Sequence, residues 1–154
     1  MKTQPAEHGP YASPGFWLHH AALTWRQECE RRLGSVTYPQ FNVISAISLL
    51  GDGAVPPTQQ AVADFARFDR QMTSKIVQSL EERGLVRRRR DANDGRLLRL
   101  ELTAEGRAAV RKCVRAARAA DEAVFGAGEL RRRLRDDLRT IAERRQHGPT
   151  EVGP

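Results

Sequence analysis

The sequence of 154 residues has little cysteine, few aromatic residues and no long apolar run. Its two cysteines, Cys29 and Cys113, are too few for a disulfide framework, or for a zinc site on their own. No stretch approaches the roughly 18 consecutive apolar residues that a membrane span needs. The first 13 residues also lack the apolar segment of a signal peptide. These absences predict a cytoplasmic location.

Signals of catalysis are missing as well. The sequence has no glycine-rich phosphate-binding loop and no nucleophile elbow. Its four histidines, His8, His19, His20 and His147, do not stand at metal-ligand spacing from cysteines or carboxylates. We therefore expect no enzymatic activity, no metal site and no cofactor. Each cysteine lies on an apolar helical stripe, which favours a buried thiol over a redox sensor.

The chain is rich in positive charge, with 26 Lys and Arg against 19 Asp and Glu, for a formal net charge of +7. Such a balance indicates nucleic acid or another anionic surface as partner. The segment from Arg87 to Arg99 holds six Arg and two Asp, and so carries more than half of this net charge. A second basic cluster, from Arg131 to Arg145, is partly balanced by nearby acids and predicts a solvated helix face.

Two helices are predicted before the first connector. An apolar spacing of three and four residues predicts a helix that begins at Pro14 and ends before Gly34. Thr37 and Gln40 form a capping-box signature for a second helix. Because that second helix is apolar on most sides, we expect it at the centre of the fold.

A helix-turn-helix unit and a β-hairpin follow. Thr58 caps a short helix, and Asp69 caps a longer one that ends near Arg83. The turn signal from Asp91 to Gly95 precedes a strand in which apolar and charged residues alternate. The fold class predicted is mainly α with a small β-wing, a winged helix-turn-helix domain plus a helical dimerisation domain.

The domain bounds follow from these elements. We expect a flexible N-terminal arm over 1–13, a helical dimerisation region over 14–36 and 104–146, a DNA-binding domain over 37–103 and a loose tail over 147–154. The terminal helices carry more apolar surface than the winged unit can bury, which indicates a dimer interface. The alternative is that these helices pack on each other within one chain. The candidate interface residues are Leu18, Trp25, Val110, Cys113, Ala117, Leu134, Leu138 and Ile141.

The helix from Asp69 to Arg83 has two faces when drawn on a helical wheel. Its apolar side, predicted to face the core, consists of Met72, Thr73, Ile76, Val77 and Leu80. Since an α-helix fits the major groove, the opposite side is expected to meet base edges and phosphates. Its candidate residues are Arg70, Gln71, Ser74, Lys75 and Gln78. An ordinary solvated helix face is the alternative.

The hairpin supplies the other DNA candidates. Arg96 follows the turn and is predicted to enter the minor groove, with Asp94 close enough to pair with it. Arg88 and Arg90 are predicted to contact phosphates. The alternative is a hairpin that is basic for solubility.

Four segments together resemble the multiple antibiotic resistance regulator (MarR) family of bacterial transcription factors. They are TYPQFNVISAI (37–47), FDRQMTSKIVQSLEERGLVRR (68–88), DANDGR (91–96) and LTAEGR (102–107). The resemblance implies a homodimer that recognises a near-palindromic operator, with Asp69 to Arg83 in the major groove and Arg96 in the minor groove. It also implies repression that is relieved by a small aromatic or phenolic effector, or by cysteine oxidation. Cys29 lies near the end of the first helix rather than its start, which argues against redox sensing.

The sequence therefore predicts a DNA-binding transcriptional repressor whose partners are double-stranded DNA, a second copy of the chain and a small-molecule effector. His19, His20 and Trp25 are candidates to line an effector pocket, with core or interface packing as the alternative. The alternative function is a winged-helix module that binds another protein without specific DNA binding.

Overall fold

The computed structural model describes residues 9–51 and 55–144. Within these ranges the chain forms a 3-10 turn (Pro10–Ala12), six α-helices and one two-stranded antiparallel sheet, which confirms the predicted fold class. The strands are β1 (Val86–Arg90) and β2 (Leu98–Leu102). The helices are α1 (Pro14–Leu33), α2 (Tyr38–Leu50), α3 (Gln59–Ala66), α4 (Arg70–Glu82), α5 (Ala104–Phe125) and α6 (Glu129–Glu143).

Four helices begin where a hydroxyl or carboxylate side chain accepts from a free backbone N–H of the first turn. The acceptors are Thr37, Thr58, Asp69 and Thr103, at 2.7–3.3 Å from the amide nitrogens. At α2 both halves of the capping box form, since the Gln40 side chain also accepts from the Thr37 amide. Each such cap contributes about 1 kcal/mol. The predicted starts of these helices are confirmed.

Helix α2 lies at the centre of the molecule. It packs against α1, α3, α4, α5 and β2. Val43, Ile44 and Ala46 have no exposed surface, and Ile47 is 2% exposed. Full burial of a Val or Ile side chain contributes roughly 1.5–3 kcal/mol relative to exposure. A single hydrophobic core therefore runs through the predicted dimerisation region and the predicted DNA-binding domain alike.

Helices α1 and α5 form the other large contact of the chain. Cys29 and Leu33 of α1 lie in the same core as Val110 and Cys113 of α5. Burial raises the pKa of both thiols, and the prediction of buried cysteines is confirmed. The assignment of Val110 and Cys113 to a dimer interface is corrected, because α1 of the same chain already covers them.

Helix α6 and the described segment before α1 differ from this packed body. α6 contains no buried residue, and Leu130 and Ile141 are 73% and 55% exposed. Within the predicted arm, Pro10–Ala12 form a 3-10 turn, and the Trp17 indole Nε1 donates to the Tyr11 carbonyl at 2.7 Å. The described end of that arm is therefore held against α1. The rest of the arm, residues 1–8, and the predicted tail lie outside the described residues.

The base of the hairpin meets the start of α5 at very close range. The Thr103 amide donates to the Leu85 carbonyl at 3.1 Å, and its hydroxyl donates to the Gly84 carbonyl at 2.7 Å. A Cβ atom built on Gly106 would overlap the same Leu85 carbonyl oxygen. Glycine is therefore required at position 106 by the close approach of two backbone segments.

We expect Gly106→Ala to lower the free energy of unfolding by about 1–3 kcal/mol, because the backbone of α5 or of β1 must shift to admit the methyl group. Urea unfolding followed by circular dichroism measures this loss. Gly95→Ala is the matched control, since no atom lies within 4 Å of its built Cβ. Equal stability of the two variants would contradict the close approach.

Candidate nucleic-acid interface

Helix α4 presents one buried face and one exposed face. Thr73, Val77 and Leu80 have no exposed surface, and they fix the rotation of the helix against the core. The exposed or half-exposed side holds Arg70, Gln71, Ser74, Lys75 and Gln78, the candidates for the major groove.

Met72 was predicted on the apolar side of α4, but it is 37% exposed. It lies one residue, or about 100° of helical rotation, from the buried Thr73. Met72 is therefore at the edge of the core face. Its amide also serves the helix start, since it donates to the Asp69 carboxylate at 2.7 Å.

Arg88 faces the body of the protein, although it was predicted to contact phosphate. It pairs with Leu100 across the sheet and shares a strand face with buried Val86. Its side chain is 23% exposed and forms a 3.2 Å ion pair with Glu81 of α4, whose carboxylate also accepts from the Arg88 amide at 3.1 Å. The phosphate assignment of Arg88 is corrected. The two-residue period counted from Val86 indicates this inward direction.

Asp91 anchors the loop of the hairpin, a role that the sequence did not reveal. Its carboxylate accepts from the amides of Asn93 and Asp94 at 2.8 and 2.9 Å, and from the Arg99 guanidinium at 2.6 Å. Arg99 also donates to the carbonyl of Pro56 at 2.8 Å. The Asp94 amide, followed by the Arg99 and Asn93 donors, lowers the pKa of Asp91 to about 2.

The tip of the hairpin carries an exposed, oriented arginine. The Arg96 side chain is 93% exposed, and its amide and Nε donate to one Asp94 oxygen at 3.0 and 3.3 Å. This confirms the predicted pairing. Arg90 donates to the Gly95 carbonyl at 2.7 Å across the loop.

The structure brings the hairpin tip and the start of α4 together. Arg96 and Arg70 line one recess of about 90 Å³ together with residues of α3. Two arginines that are distant in the sequence thus border one recess. Such an arrangement can neutralise neighbouring phosphates, and a minor groove with its enhanced negative potential attracts inserted Arg.

The candidate dimer residues gather on a cleft between α1 and α6. The cleft has a volume of about 830 Å³, and its walls are almost entirely apolar. The candidates that line it are Leu18, Trp25, Leu134, Leu138 and Ile141. Ala117 lies elsewhere, partly buried against the core on α5.

The candidate effector residues separate in the structure. Trp25 borders the apolar cleft, and its indole Nε1 donates to Asp121 at 2.7 Å. His19 and His20 are exposed and do not line that cleft. Their rings pack edge-to-face with centroids 5.6 Å apart, and the His20 ring centroid lies 4.3 Å from that of Phe16. Their assignment to one pocket with Trp25 is corrected, since they lie on a different face of α1 from Trp25.

Residues 9–51 and 55–144 contain no group of three or more His, Cys, Asp or Glu side chains that could hold a metal ion. No helix in the described part of the chain has the length and apolar character to cross a membrane.

Residues 35–97 match a family model described as MarR family. This span covers α2, α3, α4, β1 and the hairpin loop. Among curated proteins, the chain is 29% identical over 121 residues to the uncharacterised HTH-type transcriptional regulator YdcH of Bacillus subtilis, which covers 77% of this chain and 82% of that protein.

Solved structures of transcriptional regulators are similar to this fold over most of its length. The M. tuberculosis transcriptional regulator MOSR in complex with DNA is 27% identical, with a TM-score of 0.66 over 87% of this chain and 96% of its own. CouR from Rhodococcus jostii RHA1 bound to p-coumaroyl-CoA is 25% identical, with a TM-score of 0.74 over 95% of this chain and 99% of its own.

The anchor at Asp91 predicts a pH dependence of stability. In the unfolded chain an Asp has a pKa of about 3.9. Because the native pKa of Asp91 is lower, ionised Asp91 stabilises the fold above a pH of about 3.9, and this stabilisation is lost as the pH falls towards about 2. We expect the free energy of unfolding, from urea titrations between about pH 5 and pH 2, to fall more steeply for the wild type than for Asp91→Asn.

Asp94→Asn is the control, because it removes the exposed pair with Arg96 and keeps Asp91 in place. Its stability is expected to fall as steeply as that of the wild type. The anchor would be disproved by identical slopes for the wild type and Asp91→Asn.

Proposed function

We propose, from the premise that this chain belongs to the MarR family of DNA-binding transcriptional regulators, that it represses transcription as a homodimer on a near-palindromic operator. The family match also identifies a regulator rather than an enzyme, in agreement with the sequence prediction. The observation that carries the proposal is that Arg70, at the exposed start of α4, and the exposed Arg96 of the hairpin line one recess.

In the proposed complex α4 occupies the major groove. The amide groups of Gln71 and Gln78 can each make a paired contact with adenine, and Lys75 can reach guanine or a phosphate. Ser74 is short and half-buried, and so it is suited to the DNA backbone. Base contacts from this face supply sequence preference, whereas phosphate contacts fix the register of the protein.

The hairpin supplies the second contact. Arg96 enters the adjoining minor groove, where it reads groove width and potential rather than individual bases. The Asp94 carboxylate accepts from the Arg96 amide and from its Nε, which orients the guanidinium before DNA arrives and so reduces the entropy that is lost on binding. We assign the exposed Arg90 to a phosphate contact, while Arg88 and Arg99 serve to hold the hairpin in position.

Dimerisation is supported by α6 and by the apolar cleft. α6 is amphipathic, yet it has no buried residue, and Trp17 and Leu18 on the facing side of α1 are both 49% exposed. Apolar surface of this extent on a regulator indicates a protein interface. We propose that a second copy of the chain fills the cleft, and that the helical segments within 14–36 and 104–146 form the dimerisation region around the DNA-binding domain.

An effector completes the proposal. CouR, one of the similar structures, holds p-coumaroyl-CoA, a ligand with an aromatic acyl group. In this chain Trp25 lies where α1, α2 and α5 meet, with its ring 6.0 Å from that of Tyr38. A small aromatic or phenolic molecule that stacks on Trp25 is the effector class that this junction supports.

We expect binding to a selected operator to weaken steeply with salt, because phosphate contacts release counterions. The double variant Lys75→Ala with Arg96→Ala should bind about 100-fold more weakly, with a salt slope smaller by about 1 for each phosphate contact that is lost. Fluorescence anisotropy with a duplex selected from a random-sequence pool measures both quantities.

Arg133→Ala is the matched control, since it removes one exposed charge from α6, away from the hairpin. It should bind like the wild type. Affinity that survives the double variant, or that does not depend on salt, would favour the protein-binding module instead.

We expect the chain to have twice its mass of 17.3 kDa in solution at micromolar concentration. Leu138→Asp should produce monomers, because it places a charge in the apolar cleft between α1 and α6. Light scattering coupled to gel filtration measures the mass. Leu49→Asp, at a 63% exposed leucine outside the cleft, is the control that should stay dimeric. A wild-type mass near that of one chain would rule out the dimer.

A further inference from the structure

A single buried amide connects the first turn of α2 to the last turn of α4. Gln40 is 9% exposed, and its side-chain Nε2 donates to the Ser79 hydroxyl of α4 at 3.1 Å. Its Oε1 accepts from the Arg83 guanidinium at 2.8 Å and from the Thr37 amide at 3.1 Å. Both ends of this amide are therefore engaged, and two of its three contacts reach the end of α4, which is the recognition helix of the proposed DNA complex.

The same end of α4 is tied to the loop that follows α1. Arg83, which caps α4, donates through its other terminal nitrogen to the Ser35 hydroxyl at 3.2 Å. Ser35 lies directly after Gly34, where α1 ends. The carboxyl end of the recognition helix is thus attached to the junction of α1 and α2 by polar bonds that depend on direction, in addition to the apolar packing beneath it.

Further contacts hold the other side of this junction. Tyr38, the first residue of α2, packs edge-on against Trp25 of α1 and lies under the Arg26 guanidinium at 5.0 Å. Trp25 in turn donates to Asp121 of α5. A continuous set of contacts therefore leads from α1 and α5, through the start of α2, to the end of α4. Gln40 is the member of this set that contacts α4.

We propose that Gln40 is a positioning residue that sets the angle of the recognition helix relative to α1 and α5, and thereby the half-site spacing that the dimer accepts. This inference rests on the proposed function, since a spacing exists only for a dimer on DNA. In a two-fold symmetric regulator the two recognition helices must match half-sites about one helical turn apart, so a small change in the angle of α4 alters the fit at both.

A cap alone does not account for this arrangement. Thr37 and the Gln40 side chain are sufficient for the capping box of α2, and neither bond needs Ser79 or Arg83. Apolar contacts by themselves tolerate small rotations of one helix against another. A buried polar side chain that also forms hydrogen bonds to the second helix therefore specifies one relative placement of the two helices. Two variants separate these roles. Ser79→Ala removes a bond to α4 and keeps the cap, whereas Thr37→Ala weakens the cap and keeps both bonds to α4.

The test uses the full chain and an operator duplex selected by the wild type from a random-sequence pool. Affinity is compared between this operator and a version with one base pair inserted at its centre. The wild type should bind the duplex with the insertion at least about 10-fold more weakly than the selected operator, because the second half-site is displaced and rotated. For Gln40→Ala this loss of affinity should be less than about 3-fold. Ser79→Ala should behave like Gln40→Ala, and Thr37→Ala like the wild type. The salt slope should not change in any of them, since Gln40 is buried and contacts no phosphate.

A merely structural role would lower stability without changing the response to the insertion. Retention of the full wild-type penalty by Gln40→Ala and Ser79→Ala would overturn the inference. If Gln40→Ala does not fold, the affinity that Ser79→Ala loses on insertion decides between the positioning role and the structural role. Failure of the wild type to select any operator would instead count against the proposed function.

Hydrogen exchange gives a second readout that needs no DNA. Amides in the last turn of α4 and at Leu85 should exchange at least about 10-fold faster in Gln40→Ala and Ser79→Ala than in the wild type, because the end of the helix opens locally. In Thr37→Ala the acceleration should be confined to the first turn of α2. Unchanged exchange at the end of α4 in both of the first two variants would overturn the positioning role, whatever the DNA result.

Discussion

The burial of α2 is the constraint on which the rest of the structure depends. Its apolar side chains face α1, α3, α4, α5 and β2, so every element that carries a proposed function is placed by contact with one helix or with its neighbours. Close packing of this kind has low compressibility, which makes the interior transmit displacement rather than absorb it. Through this core α4 is connected to α1 and α5, the helices of the proposed dimerisation region.

Polar contacts refine what the apolar core permits. The hairpin is directed by Asp91, Arg99 and Glu81, and the end of α4 by Gln40. These groups are arranged around the proposed DNA surface and not within it. Arginines at the hairpin therefore divide into two kinds. Arg88 and Arg99 hold the hairpin to the body, whereas Arg96 is exposed and is the arginine proposed to contact DNA.

Helix α6 and the cleft beside it represent the opposite case, in which the chain leaves apolar surface uncovered. Residues at three- and four-residue spacing made α6 recognisable as an amphipathic helix, but spacing cannot distinguish a partner within the chain from one outside it. On α5 the same kind of stripe is covered by α1, which explains why Val110 and Cys113 proved to be core residues. Identical local patterns thus had different outcomes, because the number of available neighbours differs along the chain.

The sequence by itself determined the helix starts, the capping box at Thr37 and Gln40, the hairpin and the fold class, because these depend on interactions within a few residues of one another. It also placed Asp94 beside Arg96, which are two positions apart. Only the tertiary structure decided that Arg88 meets Glu81, that His19 and His20 face outward, that Arg70 adjoins Arg96 and that Gln40 reaches Ser79. Each of these depends on the packing angle between elements, and that angle is set by the whole core rather than by any short segment.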